Sequence, residues 1–207
     1  MKDLISGPYF LEANISEVDN NIFKVEKQNI ATSYSENEAE PPYNGNVTFE
    51  YTNISVFTYK QGIFRKNMNV GMHGKAMLGE CQDCGNLSSG LFDNATWGDI
   101  LILGLGGFGV LPEYIKENKN PSSIDVVENH QEVIDYVTWL NSSINIICND
   151  EWNYSTTKQY DVIICDLFSE AEDVLQSHKT TLLNNYANNL KANGLLVIPR
   201  TGEKLEN

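Results

Sequence analysis

Four consecutive apolar residues, Ile100-Leu101-Ile102-Leu103, run directly into Gly104-Leu105-Gly106-Gly107-Phe108-Gly109. A run that is apolar at every position suits a strand buried on both faces, as in a parallel sheet covered by helices. Glycines behind it allow a tight turn and let a ligand approach the backbone, and a helix opening there offers amide donors. A tight strand-to-helix turn without a ligand has the same local pattern, so the neighbouring segments decide between the two.

Those segments alternate. A helix is expected over about 108–117, with Pro112 tolerable because it falls in the first turn. Ile124–Val127 reads as the second strand, 131–140 as the second helix, Ile144–Cys148 as the third strand and Asp161–Cys165 as the fourth. A helix around 174–190 spaces Leu175, Leu182, Leu183, Tyr186 and Leu190 along one side; Asn193-Gly194 is expected to end it before a fifth strand, Leu195–Ile198. Strands alternating with helices imply an α/β fold, a Rossmann-like doubly wound, mostly parallel sheet. The N-terminal half differs. Asn21–Val25, Val47–Tyr51 and Ile54–Tyr59 read as strands around a polar loop at 36–46 that holds Pro41-Pro42 and Asn44-Gly45. The expected organisation is an antiparallel β-hairpin region with a connector over 1–95 and a Rossmann-like nucleoside-binding domain over 96–207.

Composition narrows the partners. The 207 residues are 41% apolar and 20% charged, ordinary for a folded chain. Lys and Arg total 14 against 28 Asp and Glu, a net charge of −14, which argues against a duplex nucleic-acid partner because nothing offsets phosphate repulsion. The same charge suits a cationic ligand, or simply solubility. No segment approaches the roughly 20 apolar residues of a membrane span, and Met1–Gly7 lacks the basic start of a signal peptide, so a cytoplasmic protein without membrane contact is expected. Of the four cysteines only Cys81 and Cys84 have motif spacing; with His73, His130 and His178 scattered, reduced thiols are favoured over zinc and no metal is expected.

In a doubly wound sheet, ligands bind beyond the carboxyl ends of the strands. The glycine segment holding Gly104, Gly106 and Gly109 closes the first strand, Glu128 the second, Asn149-Asp150 the third and Asp166 the fourth. A carboxylate in the place of Glu128 can accept two ribose hydroxyls, although an acid at a strand end can also be merely solvated. An NAD enzyme would share the glycines and the Glu but usually brings a separate catalytic domain. Acids after successive strands suit a cationic sulfonium nucleoside better, since carboxylates accept hydrogen bonds from sugar and adenine amino groups and stabilise positive charge. Trp152, close to Asp150, packs or covers an adenine face; Trp97 and Trp139 read as packing residues. Glu170, Glu172 and Asp173 read as acids favouring a helix N-terminus.

The segment from Ile100 to Glu113 resembles the glycine-loop segment of the spermidine synthase (polyamine aminopropyltransferase) family, which has the class I S-adenosylmethionine-dependent transferase fold. The resemblance continues through Val126-Val127-Glu128, Val133-Ile134, Asn149-Asp150, Tyr160–Asp166 and Leu190–Ile198; upstream, Tyr51–Phe57 is similar to the family's N-terminal hairpin and Asn69–Gly74 to a His-Gly variant. It implies that Glu128 binds the ribose, Asp150 the adenine amino group, and the glycines pass beneath the nucleoside. Asp166 would be the acid that orients and deprotonates an attacking amine, a nucleophile only when neutral. His73 would then face the substrate or move a proton, against the alternative of a turn histidine. The implied co-substrate is S-adenosylmethionine or its decarboxylated form, the partner a small-molecule amine, the assembly a homodimer.

Departures from the family pattern are specific. Gly107 stands where the family has an Asp that holds the donor's aminopropyl amine, Ser169 replaces a second acid after the fourth strand, and 75–98 lack the family's Tyr and Glu pattern. Three functions follow in order: an aminopropyl-type transferase, a small-molecule methyltransferase, and a non-catalytic nucleoside-binding or assembly subunit. The family continues into two more strands beyond the fifth, so that strand is expected at a sheet edge covered by the N-terminal sheet or a second subunit.

Overall fold

The computed structural model describes residues 16–34, 47–59, 87, 90–105, 109–138, 140–168, 175–199 and 203–205, with backbone alone over 27–34, 47–59 and at 110. Two sheets result. The N-terminal one is antiparallel, with strands β1 (Val18–Asp19), β2 (Phe23–Tyr34) and β3 (Val47–Tyr59) in that order. Asn20 starts β2: its Oδ1 accepts the backbone N–H of Ile22 and of Phe23, each at 2.8 Å. The two strands expected over 47–59 are one continuous strand, bulged where Gln28 pairs with Ile54 but Ile30 with Tyr51.

The second sheet has six strands in the order β6-β5-β4-β7-β8-β9: β4 (Asp99–Leu103), β5 (Ser123–Glu128), β6 (Ile144–Cys148), β7 (Tyr160–Cys165), β8 (Leu190–Ile198) and β9 (Glu203–Leu205). All neighbours are parallel except β8 and β9. Helices α1 (Val110–Lys119), α2 (Gln131–Tyr136) and α3 (Gln176–Tyr186) complete the fold. Strand alternation sorts the core into two layers. Ile100, Ile102, Ile124, Val126, Val162 and Ile164 pack with Leu111 and Ile115 of α1 and Val133 of α2. Leu101, Leu103, Val127, Ile163 and Cys165 pack instead with Leu182 and Tyr186 of α3. The central strands are therefore buried on both faces, as their uniformly apolar sequence requires.

The N-terminal region joins the first layer. Phe23 and Val25, alternate residues of β2, are buried in it, and the Phe23 ring meets Tyr136 edge-on at 5.3 Å. The Tyr136 hydroxyl donates to the Ser16 carbonyl at 2.6 Å. Leu87 and Phe92 belong to the same layer. Trp97 stacks on Phe92 at 5.3 Å, and Lys119 lies over the Trp97 ring while donating to the Leu87 carbonyl at 3.2 Å, so Trp97 is a packing residue.

The amino ends of the strands carry an ionic lattice. Lys191 reaches Asp99 at 2.6 Å and Asp161 at 2.8 Å, and Asp161 accepts the Asp99 backbone N–H at 2.6 Å. Lys158 donates to Ser123 at 2.8 Å and pairs with Asp125 at 2.7 Å; Asn145 and the Tyr160 hydroxyl also donate to Asp125, at 2.8 and 3.0 Å.

Three expectations need correction. Leu175 is 57% exposed and precedes α3 rather than lying on its apolar side; its N–H donates to His178 Nδ1 at 3.2 Å. Asn193-Gly194 does not end a helix: α3 gives way to a 3-10 turn at Ala187–Asn189, and β8 starts at Leu190. Asn193, at φ 64°, lies in a bulge where Tyr160 pairs with Leu190 and Val162 already with Leu195. A left-handed Asn followed by Gly signals a chain reversal in either setting, which is why the sequence pattern misplaced it. Strand β8 is not the sheet edge: β9 pairs with it through Leu196–Leu205, Val197–Lys204 and Ile198–Glu203.

Candidate functional site

Parallel register aligns the carboxyl ends of four strands. Leu103 pairs with Val127 on one side and Cys165 on the other, and Glu128 pairs with Cys148. The next residues along each strand, Gly104, Glu128, Asn149-Asp150 and Asp166, consequently share one edge of the sheet. Backbone bonds fix the row: Gly104 N–H donates to Val127 O at 2.8 Å, Asn149 N–H to Glu128 O at 3.1 Å, and Asp166 N–H to Leu103 O at 2.9 Å. The winding direction changes between β4 and β7, so the cleft between their ends is the topological switch point where such sheets take ligands.

Gly104 sits at that switch point with φ +92°, and a Cβ there would come 2.5 Å from the Asp166 carbonyl oxygen. Only glycine permits this backbone angle and this approach of two strand ends. Gly109 opens α1 in the left-handed region at φ 64°. Leu140, on the chain leaving the shortened α2, packs against that turn.

Glu128 is 3% exposed, and its carboxylate ties two loops together. Oε2 accepts the Leu105 N–H at 3.1 Å; Oε1 accepts the His130 N–H at 2.9 Å and lies 3.1 Å from His130 Nδ1. A carboxylate has about four lone-pair sites, so Oε2 keeps acceptor capacity for a ligand hydroxyl. Asp150 is exposed, and it organises the turn after β6 by accepting the Trp152 N–H at 2.9 Å and the Asn153 amide at 2.6 Å. Asp166 is 9% exposed at the end of β7. Cys165 before it is fully enclosed, and burial, with the adjacent Asp166 charge, pushes its thiol well above the ordinary range.

Sequence reasoning missed Glu151. This acid is 5% exposed and accepts the Asn129 N–H at 2.9 Å, bridging the loop after β6 to the loop after β5. Burial and the nearby Glu128 charge push its carboxyl up to about 7. Its position beside Asp150 was visible in the sequence; its inward orientation was not. A ring cluster was also missed: Trp152 meets Phe168 at 5.9 Å and His178 at 5.4 Å, and Phe168 meets His178 at 5.4 Å.

Gly106, Gly107, His73, Cys81, Cys84, Trp139, Ser169, Glu170, Glu172, Asp173 and the 36–46 loop lie outside the described residues. Among the described residues no group of three or more His, Cys, Asp or Glu could hold a metal ion, and no helix is long and apolar enough to cross a membrane.

No family model and no curated protein matches this sequence. Solved structures do. The plantazolicin methyltransferase BpumL, in complex with a pentazolic desmethylPZN analog and SAH, is similar at TM-score 0.50 and 22% identity, over 60% of this chain and 48% of that one. SAM-bound CalS10, an amino pentose methyltransferase from Micromonospora echinaspora, is similar at TM-score 0.48 and 12% identity, over 65% and 58% of the two chains. A S-adenosylmethionine-dependent methyltransferase from Clostridium acetobutylicum gives TM-score 0.40 and 20% identity over 56% and 48%. The chain thus spans about half the length of these solved chains. The mostly parallel sheet with its helices has the Rossmann-like fold of class I methyltransferases, with a small antiparallel sheet added at the N-terminal side.

Proposed function

We propose that the protein binds S-adenosylmethionine at the carboxyl edge of the parallel sheet and transfers its methyl group to a small molecule. The observation that carries this reading is Glu128: a buried carboxylate at the end of β5, hydrogen-bonded to Leu105 of the glycine loop and retaining acceptor capacity. The donor set fits the nucleoside. Glu128 would accept ribose hydroxyls, and exposed Asp150, one strand further out, would accept from the adenine amino group. When bound, S-adenosylmethionine supplies a methyl carbon made electrophilic by the adjacent sulfonium. The chain's own task is then to align an acceptor with that carbon and to keep the acceptor uncharged. Asp166, across the switch point from Gly104, would hold the acceptor's N–H or O–H and take its proton. In this reading residues 96–207 form the nucleoside-binding domain and 1–95 an appended region; His73 is carried as an acceptor-side candidate by the sequence resemblance alone.

A second reading is aminopropyl transfer from decarboxylated S-adenosylmethionine to an amine. The resemblance of Ile100–Glu113 to the spermidine synthases favours it. Gly107 and Ser169 disfavour it, because the acids expected to hold an aminopropyl amine are replaced at both positions. Methyl transfer is therefore the better-supported reading.

Calorimetric titration with S-adenosylmethionine, S-adenosylhomocysteine, decarboxylated S-adenosylmethionine and NAD tests both. Tighter binding of the carboxylated donor supports methyl transfer, to be followed by labelled-methyl transfer to a panel of amines and hydroxylated small molecules. Tighter binding of the decarboxylated donor supports the second reading. Silence with all four overturns both and leaves a non-catalytic role.

A further inference from the structure

We propose that Glu151 is a positioning residue of the nucleoside site whose ionisation sets the preference for a sulfonium ligand over its uncharged thioether, so that pH governs how strongly the demethylated product competes with the donor. This rests on the reading above that the site takes S-adenosylmethionine.

The geometry comes first. Glu151 immediately follows Asp150, yet its side chain turns inward and bonds to Asn129, the residue between Glu128 and His130. It thereby holds the turn whose other bonds converge on Glu128 Oε1. Its own backbone is fixed from the opposite side of the sheet, where the Tyr186 hydroxyl of α3 donates to the Glu151 carbonyl. Both carboxylates are nearly enclosed, at 3% and 5% exposure, so Glu151 feels the Glu128 charge with little screening.

The groups facing Glu151 are Glu128 and His130 from the β5 side, Asp150 on its own loop and Tyr186 from α3. Glu128 opposes a second negative charge, His130 favours it, and burial opposes it most strongly; the balance brings the carboxyl to about 7. Glu151 can therefore exchange a proton near neutrality while Glu128 keeps the hydrogen bonds that shape the site. S-adenosylmethionine and S-adenosylhomocysteine share the nucleoside and differ by one methyl group and the charge on sulfur. Water exclusion and ribose contacts cancel between them, and Coulomb attraction to an ionised Glu151 does not. Acid conditions neutralise Glu151 and let the thioether compete; alkaline conditions favour the sulfonium.

The test is the ratio of the two dissociation constants, measured by calorimetry from pH 6 to pH 8 on the wild-type protein and on Glu151→Gln. Glutamine keeps an acceptor for the Asn129 N–H without the titrating proton. Titration of the ligands' own amino groups is common to both proteins. The expected result is a preference for the sulfonium that rises about threefold more across this range in the wild type than in the variant, as a screened charge at the edge of a site allows. Parallel profiles would overturn the proposal while leaving nucleoside binding intact. Absence of binding at every pH would overturn the functional reading and this inference together. Should Glu151→Gln fail to fold, carboxyl 13C titration of wild-type protein labelled in glutamate decides instead. A buried carboxyl titrating near 7, with a lower midpoint in the sulfonium complex than in the thioether complex, supports the proposal. No glutamate titrating near neutrality, or equal midpoints in the two complexes, overturns it.

Discussion

Glu128 ends β5 and Leu105 begins the loop after β4, and the carboxylate of one accepts the backbone N–H of the other at 3.1 Å. The ribose candidate is therefore also the clasp that holds the start of the glycine loop against the end of β5. Glu128→Ala leaves the N–H groups of Leu105 and His130 without this acceptor. It should cost about 1–3 kcal/mol in urea unfolding, the penalty for an unsatisfied buried donor. Glu128→Gln keeps one acceptor oxygen and should cost less, while S-adenosylhomocysteine affinity falls at least about tenfold in both.

Gly104 and Gly109 should respond differently to alanine. At Gly104 the added Cβ meets backbone, the Asp166 carbonyl, at 2.5 Å with φ +92°, so two strand ends would have to separate. At Gly109 it meets the tip of Leu140, which can rotate away. Gly104→Ala should lose about 2–4 kcal/mol, and Gly109→Ala about 1–2 kcal/mol from the left-handed backbone alone. Equal losses in denaturant titrations would contradict this account.

Acid should loosen the amino-end lattice. Burial opposes the Asp125 charge, but hydrogen bonds from Lys158, Asn145 and Tyr160 outweigh it and hold the carboxyl below its usual range. Asp99 is held low by hydrogen bonds from Lys191 and Ser123. A carboxyl whose folded value is depressed stabilises the fold above its unfolded value, near 3.9, and loses that contribution as pH falls through the folded one. Melting temperature should therefore drop steeply below about pH 4. Lys158→Met removes the cation beside buried Asp125 and should move the onset of acid unfolding to higher pH.

Glu151 should impose the opposite slope. Its folded value is raised, so its contribution is complete below 4.5 and is lost as pH rises toward about 7. Glu151→Gln should flatten this decline in melting temperature between those two values, a change readable in the absence of any ligand.

Leu182 and Leu175 were equivalent in the sequence pattern and should separate in the test tube. Leu182 is fully buried against β7 and β8 residues, whereas Leu175 is 57% exposed. Leu182→Ala should cost about 2–5 kcal/mol and Leu175→Ser no more than about 0.5 kcal/mol in the same unfolding assay.

The parallel sheet was legible because its strands are buried on both faces, which leaves an unbroken apolar run such as Ile100–Leu103 and little else it could form. The strand-end acids followed from position: once the strands are placed, Glu128, Asp150 and Asp166 must share an edge. What escaped were features set by tertiary contact. Glu151 looks like any solvated acid until its side chain is seen inside. The reversal at Asn193-Gly194 serves a helix end and a strand bulge equally well. The three-residue β9 is too short to carry a period, and only its pairing with β8 identifies it.

The strand order has a consequence for how the chain matures during synthesis. β4 is flanked by β5, which follows it after a single helix, and by β7, whose Cys165 pairs with Leu103 across more than half of the C-terminal region. The β4-β5-β6 half can assemble as soon as residue 148 has cleared the ribosome, but one flank of β4 then stays bare until β7 emerges. Asp166 and the backbone contact that closes the switch point arrive with that second flank. A nascent chain would thus hold Glu128 and Asp150 in place before it owns a complete cleft, and ligand capture becomes a late event, coupled to the slow, non-local closure of β4 against β7.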